Sequence, residues 1–176
     1  DFGLLEPVMQ RIKKSKKLNL LTIVTGSHLL NKYGNTYKEI KKSGIKIDKK
    51  VNCVGRGDND KDILNYTSKA IKNFGIAFKK LKPDMILILG DRYEIFAAAI
   101  SAMIFRLPIA HIHGGELTEG AIDDAIRHSI TKMSHLHFVS HQEYKKRVIQ
   151  LGEFPKKVFN VGGLGAENIS NMKFNE

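Results

Sequence analysis

Thirty-two residues in the middle of the chain, 85–116, constrain its fold more than any other part. They read MILILGDRYEIFAAAISAMIFRLPIAHIHGGE. An apolar run from Met85 to Leu89 stops abruptly at Gly90-Asp91-Arg92. A segment follows with Ile95, Phe96, Ala99, Ile100, Met103 and Ile104 at helical spacing. A second apolar run then ends at His113-Gly114-Gly115-Glu116. Short apolar runs joined through a helix are the pattern of parallel strands buried on both faces. In open α/β sheets chemistry collects beyond the carboxyl ends of such strands, and Asp91 and Glu116 both stand there.

The rest of the chain repeats the alternation. Residues 3–15 place Leu4, Leu5, Val8, Met9 and Ile12 on one helical face, with cations near the end where the helix dipole favours them. A helix this early lacks the strand an α/β unit puts before it, so the opening strand is expected either to have been lost or to lie outside the sequence. Strands are expected at 18–24, 51–54, 85–89, 108–112, 136–139 and 158–161. Helices are expected at 32–42, 61–81, 92–105, 122–133 and 141–151. Strand and helix alternate throughout, which predicts a doubly wound parallel sheet of Rossmann-like type with right-handed crossovers. The whole of 1–176 reads as one such domain.

Charge narrows the partners. The formal net charge is +11, but residues 1–82 hold 19 of the 29 Lys and Arg and only 7 of the 18 Asp and Glu. The excess falls in Lys pairs without interleaved aromatics, which describes a solvated surface and argues against nucleic acid. No apolar run approaches the ~18 residues of a membrane span. A single cysteine, Cys53, excludes a disulfide framework and a cysteine metal cluster, and together these features favour the cytoplasm. The polar loop at 55–60 lacks the spacing and glutamate of a calcium loop. The segment Val161-Gly162-Gly163-Leu164-Gly165 is at most a fragment of a dinucleotide fingerprint, and a hinge or domain crossover fits it better.

Several residues could carry chemistry. Asp91 either caps the following helix or accepts a proton, with the adjacent Arg92 as an anion clamp. Glu116 follows two glycines, Gly114 and Gly115, that allow close backbone approach to a ligand, and it is otherwise a solvent-facing loop glutamate. Asp123 and Arg127, like Asp124 and His128, lie four apart on a helix. They are either stabilising pairs or carboxylates aimed at the same cleft. His28 caps, packs or touches ligand. Six of the seven histidines fall between His111 and His141, yet no metal motif such as HExxH appears, and hydrogen-bonded core rings are the better account.

In order along the chain, Asp1-Phe2-Gly3-Leu4-Leu5, Val24-Thr25-Gly26-Ser27-His28-Leu29, Gly90-Asp91-Arg92, His111-Ile112-His113-Gly114-Gly115-Glu116 and Ile122-Asp123-Asp124-Ala125-Ile126-Arg127-His128 resemble the N-terminal domain of UDP-N-acetylglucosamine 2-epimerases. The hydrolysing branch, which serves sialic and legionaminic acid synthesis, is the most similar. The resemblance implies the N-terminal half of a GT-B-type two-domain fold with substrate in the cleft between domains. It implies loss of UDP from C1 and a proton from C2 to form a glycal, then hydration and reprotonation from the opposite face. The products would be UDP and N-acetylmannosamine or a related sugar, with neither metal nor nicotinamide. It places Asp91, Glu116 and the Asp123-Asp124 pair in acid–base positions. Arg92 and Arg127 would hold phosphates or orient carboxylates. Asp1, His28, His113, Gly115 and His128 fall at substrate-binding positions. The UDP-sugar is the implied partner, in a homodimer or homotetramer of the full-length protein. The preceding strand, ending in Gly-Thr-Arg in the family, and the C-terminal domain with most nucleotide contacts are absent here, so the chain alone is expected to be inactive. A catalytically inactive sugar-nucleotide-binding half-domain and a GT-B glycosyltransferase fragment are the alternatives.

Overall fold

A computed structural model describes residues 2–53, 59–118 and 122–165. Asp1, Glu119 and most of the 55–60 loop fall outside the described residues.

The first helix, α1 (Phe2–Lys14), ends in Arg11, Lys13 and Lys14, which complement its carbonyl end. Gln10 and Lys13 donate to the carbonyls of Ser43 and Gly44, at 2.9 and 2.7 Å, and tie it to the end of α2 (Tyr37–Lys42). The expected helix at 32–42 is shorter than its sequence pattern. Gly34 and Asn35 take φ of 76° and 51°, which breaks it into a 3-10 turn at Asn31–Tyr33 and then α2. Between α1 and α2 runs β1 (Ile23–Thr25), which pairs in parallel with β2 (Lys49–Val51). Both are shorter than, or offset from, the predicted strands, because only three residues of each share a register.

The longest helix, α3 (Asp60–Leu81), is capped by Asn59, whose side chain accepts from the Asp62 N–H at 3.0 Å. It buries Ala70, Phe74, Ala77 and Phe78. Next come β3 (Ile86–Leu89), α4 (Tyr93–Ile104), β4 (Ile109–Ile112), α5 (Asp123–Met133), β5 (Leu136–Val139), α6 (Gln142–Gln150) and β6 (Val158–Asn160). In α4 the alanines Ala97, Ala98, Ala99 and Ala102 are all buried in the main core, where their small side chains allow close approach. Ser101 Oγ donates across to Ile71 O at 2.8 Å, which satisfies a hydroxyl at a buried helix contact. The main core joins β2, α3, β3, α4, β4 and α5.

All strand pairs are parallel, as the alternation requires, with β3-β4-β5-β6 adjacent in chain order. One difference from a single doubly wound sheet is plain. Among the described residues β1 and β2 form a separate two-stranded sheet, not hydrogen-bonded to the four-stranded one. No helix among them is long and apolar enough to cross a membrane.

Candidate active site

The strand ends meet at one buried guanidinium. Arg127, on the second turn of α5, is only 6% exposed. One of its terminal nitrogens donates to Glu116 O at 2.7 Å and Asp124 Oδ1 at 3.2 Å. The other donates to the Asp91 carboxylate and, at 3.1 Å, to Thr118 Oγ1. A planar fork with five donors suits this task, since it can hold two carboxylates and a carbonyl at once. Asp124 also accepts from the Thr118 N–H at 2.7 Å. One side chain thus ties the ends of β3 and β4 to the first turn of α5.

This arrangement revises two pairings expected from spacing. Arg127 turns to Asp124, three residues away, and to Asp91 across the fold, and not to Asp123. Arg92 does not accompany Asp91. Its Nε donates to Glu94 Oε1 at 3.0 Å, and that carboxylate holds the guanidinium charged. Nor is Asp91 a helix cap: Arg92 occupies the cap position of α4, without a side-chain bond.

Asp91 is set by the turn before it. Gly90 takes a φ of 83°, and its carbonyl accepts from His111 Nε2 at 2.9 Å. A carbonyl can only accept, so the proton is on Nε2. His111 is fully buried, and burial lowers its pKa to about 4, so the ring is neutral at physiological pH. Its Nδ1 faces Thr131 Oγ1 at 3.4 Å, and that hydroxyl donates to Arg127 O at 3.0 Å.

The second strand end is built differently. His113 adopts a φ of 64°, unusual for a residue with a side chain, while its N–H donates to Phe138 O at 2.9 Å. Glu116 accepts from Ser140 Oγ at 2.7 Å and lies 3.2 Å from His113 Nδ1. Packing by itself requires glycine at both positions 114 and 115. A Cβ on Gly115 would meet Tyr144 O at 2.6 Å and Val148 Cγ2 at 2.8 Å, and the Gly115 carbonyl accepts from Arg147. A Cβ on Gly114 would press on His111 and Thr131.

His28 stands apart from this group. Its Nδ1 is 2.6 Å from Thr36 Oγ1, and burial holds its pKa below the ordinary value. With Thr25, Ser27, Arg92 and Glu94 it lines the polar end of a cavity. His128 keeps a buried Nδ1 with no protein partner. The remaining rings are structural. His135 Nδ1 accepts from the Ile109 N–H at 3.3 Å, and His137 Nε2 lies 3.2 Å from Glu153.

Sequence reasoning missed Ser140, Thr118 and Glu94. Ser140 directly follows β5, so the strand-end rule that singled out Asp91 and Glu116 would have found it.

The parallel α/β unit thus brings Asp91 and Glu116 at its strand ends together with Asp124 in the first turn of α5, two of the three carboxylates held by one arginine. The family model described as UDP-N-acetylglucosamine 2-epimerase matches residues 10–176, and the chain belongs to that family. Over 174 residues it is 50% identical to the Campylobacter jejuni GDP/UDP-N,N'-diacetylbacillosamine 2-epimerase (hydrolyzing), covering 99% of this chain and 45% of that protein. The Legionella pneumophila UDP-N,N'-diacetylbacillosamine 2-epimerase (hydrolyzing) is 36% identical, with 98% and 46% covered. The crystal structure of the Neisseria meningitidis UDP-GlcNAc 2-epimerase bound to UDP-GlcNAc superposes with a TM-score of 0.82 at 20% identity, over 96% of this chain and 45% of that one. The chain therefore spans a little under half the length of these relatives.

Proposed function

We propose that the protein to which this chain belongs is a hydrolysing 2-epimerase of a UDP-N-acetylhexosamine, and that this chain carries its acid–base half. The observation that carries the reading is Arg127, which gathers Asp91, Asp124 and the Glu116 backbone at the strand ends. The reaction needs a base to take the C2 proton as the C1–O bond to UDP breaks, giving a glycal. Water then adds to C1 and an acid returns a proton to C2 from the other face, so the net change is uptake of one water and release of UDP and the C2-epimeric sugar. Asp91 and Glu116 are the candidate acid and base, because each sits on a different strand end with a fixed partner: Arg127 for Asp91, Ser140 for Glu116. Asp124, and Asp123 beside it, supply further carboxylate at the same helix start.

The group is rich in carboxylates, and Arg92 is engaged by Glu94. Cations that neutralise a leaving diphosphate are therefore assigned to the part of the protein beyond this chain. Coupled assay of UDP release from UDP-N-acetylglucosamine, and from the diacetamido analogue, tests the reading. The full-length protein should turn over one of them, and Asp91→Asn and Glu116→Gln should each slow it by ~100-fold or more. The isolated 176-residue chain should release little UDP. Full activity in both variants would overturn the assignment, and tight binding without turnover by the full-length protein would favour an inactive binding module.

A further inference from the structure

The loop that carries Glu116 lies directly on α6. Gly115 is buried with a φ of 79°, and a Cβ there would stand 2.6 Å from Tyr144 O and 2.8 Å from Val148 Cγ2, so its backbone rests on the helix with no side chain between. Tyr144, Arg147 and Val148 share one face of α6 by their helical spacing. From that face the Arg147 guanidinium donates to Gly115 O, with its Cζ 5.8 Å from the centre of the Tyr144 ring. Ser140 stands between the end of β5 and His141, the cap of α6, and its Oγ donates to Glu116 Oε1 at 2.7 Å.

Given the proposed reaction, on which this rests, we infer that Ser140 and Arg147 are positioning residues for proton transfer by Glu116. They act on different parts of it. Gly115 O belongs to the peptide unit that enters Glu116, and Arg147 holds it through a charge-assisted hydrogen bond. Glu116 O belongs to the unit that leaves, and Arg127 holds that one at 2.7 Å. Both peptide planes beside the Glu116 Cα are therefore pinned by a guanidinium, one from α6 and one from α5. Ser140 then fixes the side chain.

The carboxylate is anchored at one oxygen. Ser140 Oγ and, at 3.2 Å, His113 Nδ1 both face Oε1. Among the described residues Oε2 has no hydrogen-bond partner, so it is the oxygen left to exchange a proton with the sugar. Asp91 takes its anchor from Arg127 of α5 instead. The β5–α6 connection thus serves one carboxylate of the pair, and a shift of the loop on α6 misplaces Glu116 while Asp91 keeps its partner. Misplacement of a reacting group by about 1 Å can cost ~100-fold in rate.

Steady-state turnover by the full-length protein tests this, with UDP-N-acetylglucosamine or its diacetamido analogue, whichever it uses. Ser140→Ala and Arg147→Met should each lower kcat by ~10-fold and leave KM within about twofold. Ser140→Thr keeps the hydroxyl and Arg147→Lys keeps a cationic donor, so both should recover most of the loss. In a Glu116→Gln background Ser140→Ala and Arg147→Met should cost less than about twofold, because the group they position no longer carries a proton. A variant that merely loses folded enzyme would fall by the same factor in either background. Unchanged kcat in either single variant, or an equal loss in the Glu116→Gln background, would overturn the inference and leave the proposed reaction in place. Turnover that survives Glu116→Gln undiminished, or none by the full-length protein, would overturn the proposed reaction and this inference with it.

Discussion

Replacing Arg127 by Met tests how the site is held. Arg127→Met keeps the length and apolar stem but removes every polar contact: the Asp91 and Asp124 carboxylates, Glu116 O and Thr118 Oγ1. Breaking a buried ion pair by deleting one partner costs about 3–5 kcal/mol, because the other charge is left without compensation. Water reaches the carboxylates here, since the Asp91 and Asp124 side chains are 18% and 29% exposed, so the lower end applies. A loss of about 3 kcal/mol corresponds to a Tm lower by roughly 6–12 °C for a chain of this size. Arg127→Lys should lose about half as much, because an ammonium keeps the charge but cannot form the planar fork. Urea unfolding followed by circular dichroism gives the numbers, with an unchanged m-value as the check that only stability moved. In an Asp91→Asn background, Arg127→Met should cost at least ~1 kcal/mol less, as the stranded charge is gone. A loss under ~1 kcal/mol for Arg127→Met, or strict additivity of the two changes, would refute the claim that this arginine ties the strand ends together.

Two further outcomes follow from the same geometry. Burial holds the His111 pKa at about 4, below its unfolded value near 6.5, so the unfolded chain binds more protons between those limits. Stability from this ring is complete above pH 6.5 and falls by about 3 kcal/mol as pH drops to 4. His28 and His137 are shifted in the same direction and add to the acid limb. His111→Gln, which can still donate to Gly90 O, should flatten that limb in pH-dependent urea titrations, and an unchanged slope would show that His111 is not its source. Gly115→Ala should cost more than Gly26→Ala, although both glycines have positive φ. The new Cβ at 115 meets the Tyr144 backbone, whereas at 26 it meets the Glu94 carboxylate, which can swing aside. Thermal melts should show a loss of about 3 kcal/mol or more for the first and 1–2 for the second, and equal losses would mean that the α6 contact is not tight.

The parts of the fold legible in the sequence are those where local pattern and tertiary demand agree. β3, β4 and β5 fall within a residue of their apolar runs, because a short apolar run between two helices has strand length and little else to be, and β4 is buried along its whole length. The 18–24 run misleads, since pairing with β2 and not hydrophobicity sets where β1 begins. Helix 32–42 misleads because Gly34 and Asn35 adopt left-handed geometry inside an otherwise helical pattern. At the site, strand ends located Asp91 and Glu116, but side-chain partners were not legible. The four-residue spacing offered Asp123 to Arg127, and the fold offers Asp91, 36 residues away. Adjacency offered Arg92 to Asp91, and the helix start turns Arg92 toward Glu94 instead. Pairings made across elements belong to topology, which local spacing does not encode.

If, as proposed, this chain contributes the groups that move the C2 proton of a UDP-N-acetylhexosamine, the fate of that hydrogen reports on them. The most direct measurement is turnover of UDP-N-acetylglucosamine, or its diacetamido analogue, by the full-length protein in deuterium oxide, with the free sugar read by NMR. One deuterium is expected at C2 of the epimeric product, lost together with UDP release in Asp91→Asn and Glu116→Gln. UDP release that leaves the original hydrogen at C2 would contradict it.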